Sequence, residues 1–126
     1  MAITRVFDIL PKLQEKYKKP NALAAKENGK WVTYSTQDFI DNVNNLSYGL
    51  LNIGIEKEDK IAIIANNRPE WNFTDFAIQQ SGAVSVPIYP TISEGDLKFI
   101  VSDAFRVSTI VILQQFLPTI PPEVFS

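Results

Sequence analysis

Residues 60 to 65 read KIAIIA, and after the leading lysine every side chain is apolar. A strand with one wet face alternates polar and apolar residues. An unbroken apolar run this short belongs to a strand covered on both faces. Two further runs follow, AVSVPIY at 83–89 and STIVIL at 108–113, with helical spacing between them. Strands alternating with helices in this order predict a βαβαβ unit. The fold class is therefore α/β, an open, mostly parallel sheet with flanking helices.

The connecting segments carry matching signals. PEWNFTDFAIQQ, residues 69–80, places Pro69 at a helix first turn and Glu70 near its positive end, and Gly82 stops the helix. Pro87 and Pro90 interrupt the second strand run. Ser93-Glu94-Gly95-Asp96 is a capping pattern that opens a helix with Leu97, Ile100, Val101 and Ala104 on one side.

Upstream the pattern differs. Residues 1–19 are expected as an N-terminal helix, with Val6, Ile9, Leu10, Leu13 and Tyr17 on one face, Pro11 as a kink or fresh start, and Pro20 as its stop. Residues 20–35 hold Asn28-Gly29 between two short runs, a β-hairpin signal, with Trp31 to Tyr34 suited to a strand. Residues 36–113 then comprise a long helix and the βαβαβ unit. The helix opens on a capping box at Ser35 and Asp38 and buries Phe39, Val43, Leu46 and Leu50. It ends before Gly54, with Ile55 as the hydrophobic contact beyond. Residues 114–126 contain Pro118, Pro121 and Pro122 and no periodicity, so an irregular tail is expected. A further unit is expected to continue the domain beyond the third strand.

Composition removes whole classes of chemistry. With no cysteine and no histidine, disulfides, thiolate or imidazole metal sites, cysteine nucleophiles and Ser-His pairs are absent. A net charge of −2 argues against a nucleic-acid partner. Lys12, Lys16, Lys18 and Lys19 cluster, which reads as a solvated helix face, with a membrane or phosphate contact as the alternative. No secretory signal or membrane-spanning run is present, so a cytoplasmic location is expected.

Gly49 and Gly54 have half of the P-loop spacing, but Ile55 and Glu56 stand where Lys and Ser/Thr are needed, and no G-x-G-x-x-G occurs. Glu56, Glu58 and Asp59 read as a turn between helix and strand. The pairs Glu70/Asp75 and Glu94/Asp96 are explained by helix N-terminal electrostatics as well as by acid–base work. Arg68 follows a βα turn at the C-terminal end of the first buried strand, where open α/β sheets bind ligands. It suits a phosphate or carboxylate ligand, or an anchoring role to Glu70 or Asp75. Trp71, Phe73 and Phe76 read as core, because a crossover helix must bury one face.

The ordered set Thr33, Tyr34, Gly49, Leu50, Gly54, Asp59, Asn67, Pro69-Glu70-Trp71, Gly82-Ala83-Val84, Pro87 and Tyr89-Pro90-Thr91 resembles the N-terminal part of the acyl-adenylate-forming, AMP-binding superfamily, and more closely its long-chain fatty-acid–CoA ligases. The resemblance spans about residues 20 to 104, and the Ile-Tyr-Pro-Thr ending favours the long-chain branch. Two departures stand out. The family usually has Gly where this chain has Glu58, and the sequence after Ala104 fits poorly.

The resemblance implies a partial N-terminal subdomain of a ligase that joins a fatty acid to CoA with ATP and Mg²⁺ through an acyl-adenylate. The family's phosphate-cradling loop, its aromatic-Gly-x-Thr-Glu segment, its ribose-binding Asp and its catalytic Lys match nothing here. Tyr48-Gly49 begins like the second of these and fails at Leu50-Leu51-Asn52. This chain is therefore expected to be an N-terminal fragment, to hold no catalytic, cofactor or metal residue, and to be inactive alone. Arg68, Tyr89, Pro90 and Thr91 are the candidates for a ligand crevice. Peripheral membrane association and a homodimer are further expectations from the family. The alternatives are another acyl-adenylating enzyme, such as an aryl-CoA ligase or a peptide-synthetase adenylation domain, or a non-enzymatic flavodoxin-like binding module.

Overall fold

The computed structural model describes residues 2–100, 102 and 109–112. A 3-10 turn at Val6–Asp8 leads into α1 (Ile9–Lys16), followed by β1 (Leu23–Glu27), β2 (Lys30–Tyr34), α2 (Thr36–Asn52) and β3 (Lys60–Ile64). Then come α3 (Pro69–Gln80), β4 (Val84–Ile88), α4 (Glu94–Phe99) and β5 (Thr109–Ile112). Two sheets result: an antiparallel β1–β2 pair, and a parallel sheet in the order β4-β3-β5. This is the open α/β architecture with an N-terminal hairpin that the sequence pattern predicts. The tail at 114–126, and Val101 and Ala104 of the expected helix face, lie outside the described residues.

β3 occupies the centre of the parallel sheet, and its burial follows from that position. Ile61, Ala62, Ile63 and Ile64 are all but inaccessible to solvent. Successive side chains point to opposite faces. Ile61, Ile63 and Ala65 pack with Ile55, Ile78 and Ala83 on one side. Ala62 and Ile64 pack with Ile88 and Leu97 on the other. Two apolar layers on one strand explain why the run has no polar alternation.

β4 is less buried than its sequence suggests. Val84 and Pro87 are exposed, Ser85 and Val86 half-buried, and only Ile88 is buried. Among the described residues β4 pairs only with β3, so it lies at a sheet edge. That position explains Pro87, which sits opposite Ile63 inside the strand without breaking it. An edge strand has a side where the missing N–H is not needed.

The N-terminal helix is shorter than residues 1–19, and Val6, Ile9 and Tyr17 are exposed, leaving Leu10 as its buried apolar anchor. The reason is local. Pro11 has no N–H and fits only the first turn, and the Asp8 carboxylate fixes the start by accepting from the Thr4 and Arg5 backbone N–H groups at 3.2 and 3.0 Å. Arg5 also pairs with Asp8 at 2.8 Å, and its hydrogen bond holds the Asp8 carboxyl down at about 2.

The hairpin turn is as the Asn-Gly pair demands. Asn28 and Gly29 have φ of 51° and 79°, and Glu27 pairs directly with Lys30. At the start of α2 the capping box is complete: Ser35 Oγ accepts from Asp38 N at 3.0 Å, and Asp38 Oδ2 accepts from Ser35 N at 2.9 Å. Thr36, Phe39, Val43 and Ser47 form its buried stripe, with Leu50 partly buried. Leu46, expected in the core, is exposed. Its place in the α2–α3 contact is taken by Ser47, whose hydroxyl donates within hydrogen-bond range of the Val43 and Ala77 carbonyls. An aromatic group closes this layer. Phe73 meets Tyr34 and Phe39 edge-on at centroid distances of 5.1 and 5.6 Å, and Phe39 meets Phe76 at 5.3 Å.

Both long helices end the same way. Gly54 N donates to Leu51 O and Ile55 N to Leu50 O, while Gly82 N donates to Gln79 O and Ala83 N to Ile78 O. These paired bonds require a left-handed residue after the helix, and Gly54 and Gly82 supply it at φ of 98° and 85°. The turn before β3 repeats that demand at Glu58, whose φ is 70°. The departure from the family pattern at this position is thus a side chain in a conformation that glycine adopts at little cost.

Candidate functional site: the crevice at the ends of β3 and β4

A parallel sheet directs its strand exits to one edge, and loops there form a crevice. Here the exit of β3 is Ala65-Asn66-Asn67 and the exit of β4 is Tyr89-Pro90-Thr91. Together with Trp71 from the first turn of α3 they line a cavity of about 580 Å³. Tyr89 is the most exposed large side chain of the group, at 83%. The lining offers two amides, a hydroxyl and two aromatic rings, and no carboxylate or amine. Such a surface can orient a ligand by hydrogen bonds and ring contacts. It has no acid–base pair with which to move a proton.

Arg68 is placed apart from Tyr89, Pro90 and Thr91. It lines a second, more polar groove of about 760 Å³, shared with the hairpin residues Lys26, Glu27, Asn28 and Trp31. Asn66 and Asn67 line both grooves and join them. The sequence therefore points to both halves of the strand-exit edge but misses the two asparagines between them. Their signal was present: they are the two residues that leave the buried run at 60–65.

The anchoring alternative for Arg68 is realised toward Glu70 rather than Asp75. Arg68 Nε donates to Glu70 Oε2 at 2.7 Å, and both side chains keep 30% of their surface exposed. Tyr34 Oη donates to Glu70 Oε1 at 3.4 Å, tying β2 to the start of α3. Asp75 instead accepts from Ser85 Oγ at 2.7 Å and from Gln79 Nε2 at 3.1 Å. Burial alone would push the Glu70 carboxyl up, but the Arg68 hydrogen bond, with backbone and Tyr34 donors, outweighs it and leaves the carboxyl below its ordinary value. Arg68 is raised mainly by that same hydrogen bond, and Tyr34 is raised chiefly by burial. Among the described residues no group of three or more acidic, histidine or cysteine side chains is placed to hold a metal ion.

Of the three aromatic residues expected in the core, Phe73 is fully buried. Trp71 and Phe76 are partly buried, Trp71 against the layer around Ile61 and Ile63, and Phe76 against the layer around Phe39. Trp71 also borders the crevice, so one residue serves both core and surface.

An open parallel sheet behind a hairpin and two long helices, with its crevice at the strand exits, is the fold of the N-terminal part of adenylate-forming enzymes. A fatty acyl-CoA synthetase of Mycobacterium tuberculosis superposes with a TM-score of 0.74 at 23% identity, over 90% of this chain and 21% or so of the larger enzyme's counterpart, printed as 22%. An anthranilate CoA ligase solved with anthranoyl-AMP superposes with a TM-score of 0.75 at 20% identity, over 91% of this chain and 21% of that one. In sequence, the long-chain-fatty-acid–CoA ligase FadD15 of Mycobacterium bovis is 31% identical over 80 residues, which is 64% of this chain and 13% of that ligase. Residues 13–122 match the family of AMP-binding enzymes, and this chain belongs to it. It spans about an eighth of the length of the curated relative it matches, as the 13% coverage states.

Proposed function

We propose that this chain is the N-terminal portion of an ATP-dependent long-chain fatty-acid–CoA ligase. In the overall reaction a fatty-acid carboxylate oxygen bonds to the α-phosphorus of ATP as pyrophosphate leaves, and the CoA sulfur then bonds to the acyl carbon as AMP leaves. What supports this reading is one stretch. Asn67, Pro69-Glu70-Trp71, Gly82-Ala83-Val84 and Tyr89-Pro90-Thr91, the residues that carry the family resemblance, fold as consecutive parts of one β3–α3–β4 crossover.

The chain's share of the work is positional. The crossover fixes the strand-exit edge on which Tyr89, Pro90 and Thr91, and beside them Arg68, border the ligand crevice. Mg²⁺ is implied by the family, yet the crevice lining offers it no carboxylate, so no step is assigned to it on these residues. ATP, CoA and the acid belong to the complete protein, and the 126 residues alone are inactive. No helix among the described residues is long and apolar enough to cross a membrane.

A second reading, an aryl-CoA ligase, draws on the near-equal superposition with the anthranilate CoA ligase. The fold is common to both acid classes, and sequence similarity to a long-chain ligase favours the first. ATP–pyrophosphate exchange by the complete protein separates them. Palmitate should drive exchange well above benzoate, anthranilate or amino acids, and the opposite order overturns the long-chain reading.

A further inference from the structure

Charge is distributed unevenly along this chain. Residues 1–20 hold five Lys and Arg against two Asp and Glu, while residues 21–126 hold seven against twelve. The asymmetry is sharper in space than in sequence, because Asp8 is buried and consumed by Arg5. Lys12, Lys16, Lys18 and Lys19 then face Glu15 as the one remaining acid of that segment. Lys16, Lys18 and Lys19 are exposed and Lys12 is half-buried.

The same segment exposes aliphatic side chains. Ile3, Val6 and Ile9 are 50%, 47% and 36% exposed, and Tyr17 is 59% exposed. Val6, Ile9, Lys12 and Lys16 succeed one another at spacings of three, three and four, so they share one side of the turn and α1. Leu10 faces the other way, into the layer with Phe39, Val43 and Phe73. The outward side thus starts apolar and continues basic.

We infer that this side is a docking surface for an anionic lipid bilayer. A basic segment with neighbouring aliphatic and tyrosine side chains lies in the headgroup region, the cations against lipid phosphates and the apolar groups just below them. Nucleic acid would use the lysines but leave Ile3, Val6 and Ile9 in water. The acidic remainder of the chain is repelled by the same bilayer, so it orients the contact through residues 3–19. The inference names the surface and the lipid charge for the membrane contact anticipated from the lysine cluster. It does not depend on which acid the enzyme activates.

Vesicle flotation of the complete protein tests it, with phosphatidylcholine vesicles against vesicles containing about one-third phosphatidylglycerol. Binding is expected only to the anionic vesicles and should weaken as salt rises from 0.05 to about 0.5 M, as the screening length shortens. The double change Lys16→Glu with Lys19→Glu should lower binding about tenfold or more. Lys18→Glu with Lys19→Glu, beyond the helix end, should act alike and guards against a folding defect. Ile3→Ser with Val6→Ser should lower it about fivefold. Lys57→Glu with Lys98→Glu, the same charge change elsewhere, should leave it intact. Equal binding to neutral vesicles, no binding to either kind, or indifference to the lysine substitutions would overturn the inference. So would binding to an oligonucleotide duplex that ignores the aliphatic substitutions.

Discussion

The Arg68 guanidinium and the Glu70 carboxylate meet at 2.7 Å across the first turn of α3, and the Tyr34 hydroxyl closes on the other carboxylate oxygen at 3.4 Å. One carboxylate therefore holds the strand-exit loop, the crossover helix and the hairpin together. Glu70→Ala should cost about 1–2 kcal/mol in urea unfolding, since it strands a half-buried guanidinium and removes a negative charge from a helix N-terminus. Tyr34→Phe, losing only the longer bond, should cost under about 0.5 kcal/mol. Equal losses for the two would show that Arg68 is not the main partner.

Glu58 offers a gain. Its φ of 70° is strained for a side-chain-bearing residue, and its N–H is held by Gly82 O at 2.9 Å. Glu58→Gly should raise stability by about 0.5–1 kcal/mol, the relief of left-handed strain less the added freedom of the unfolded chain. Gly82→Ala should lower it by about 1 kcal/mol, because its φ of 85° is equally unfavourable for alanine. The midpoint of thermal unfolding reads both changes.

Packing predicts a contrast between two aromatic residues. Phe73→Ala opens the buried layer between Tyr34, Phe39 and Ala77 and should cost about 3–5 kcal/mol. Trp31→Ala, 69% exposed on the hairpin, should change stability by under about 0.5 kcal/mol. Denaturant midpoints compare them directly.

Acid should unfold the N-terminal turn within a defined window. The Asp8 carboxyl is lowered from 3.8 to about 2 by Arg5, so its folded value lies below its unfolded one. Such a group contributes its full stability above about pH 4 and loses it as pH falls through about 2. Glu70, also lowered, acts in the same direction. A carboxyl NMR titration should find Asp8 near 2 and, in Arg5→Ala, displaced upward. An unshifted value in that variant would remove Arg5 as the cause.

The pattern-bearing parts of the fold were readable from residue order. KIAIIA announced a strand covered twice, Asn28-Gly29 a two-residue hairpin, and Ser35 with Asp38 a capping box, since each signal is local and physical. Burial that depends on tertiary position was not. Leu46 and Ser47 are neighbours on α2, and only the closeness of the Ala77 carbonyl makes the serine the buried one. β4 reads as apolar, yet its edge position leaves Val84 and Pro87 exposed. At the crevice, Tyr89-Pro90-Thr91 and Arg68 were legible as strand exits, but their separation into two grooves joined by Asn66 and Asn67 depends on how the hairpin packs beside α3.

The scaffold role of residues 60–91 is tested most directly by palmitate-driven ATP–pyrophosphate exchange, measured on residues 1–126 and on the complete protein side by side. The complete protein should exchange, and should keep exchanging when Arg68 is replaced by Lys. The 126 residues alone should show none above the buffer rate, although they carry the whole β3–α3–β4 crossover. Acid-dependent exchange by those residues alone would contradict the account, because chemistry would then reside where only shape has been assigned.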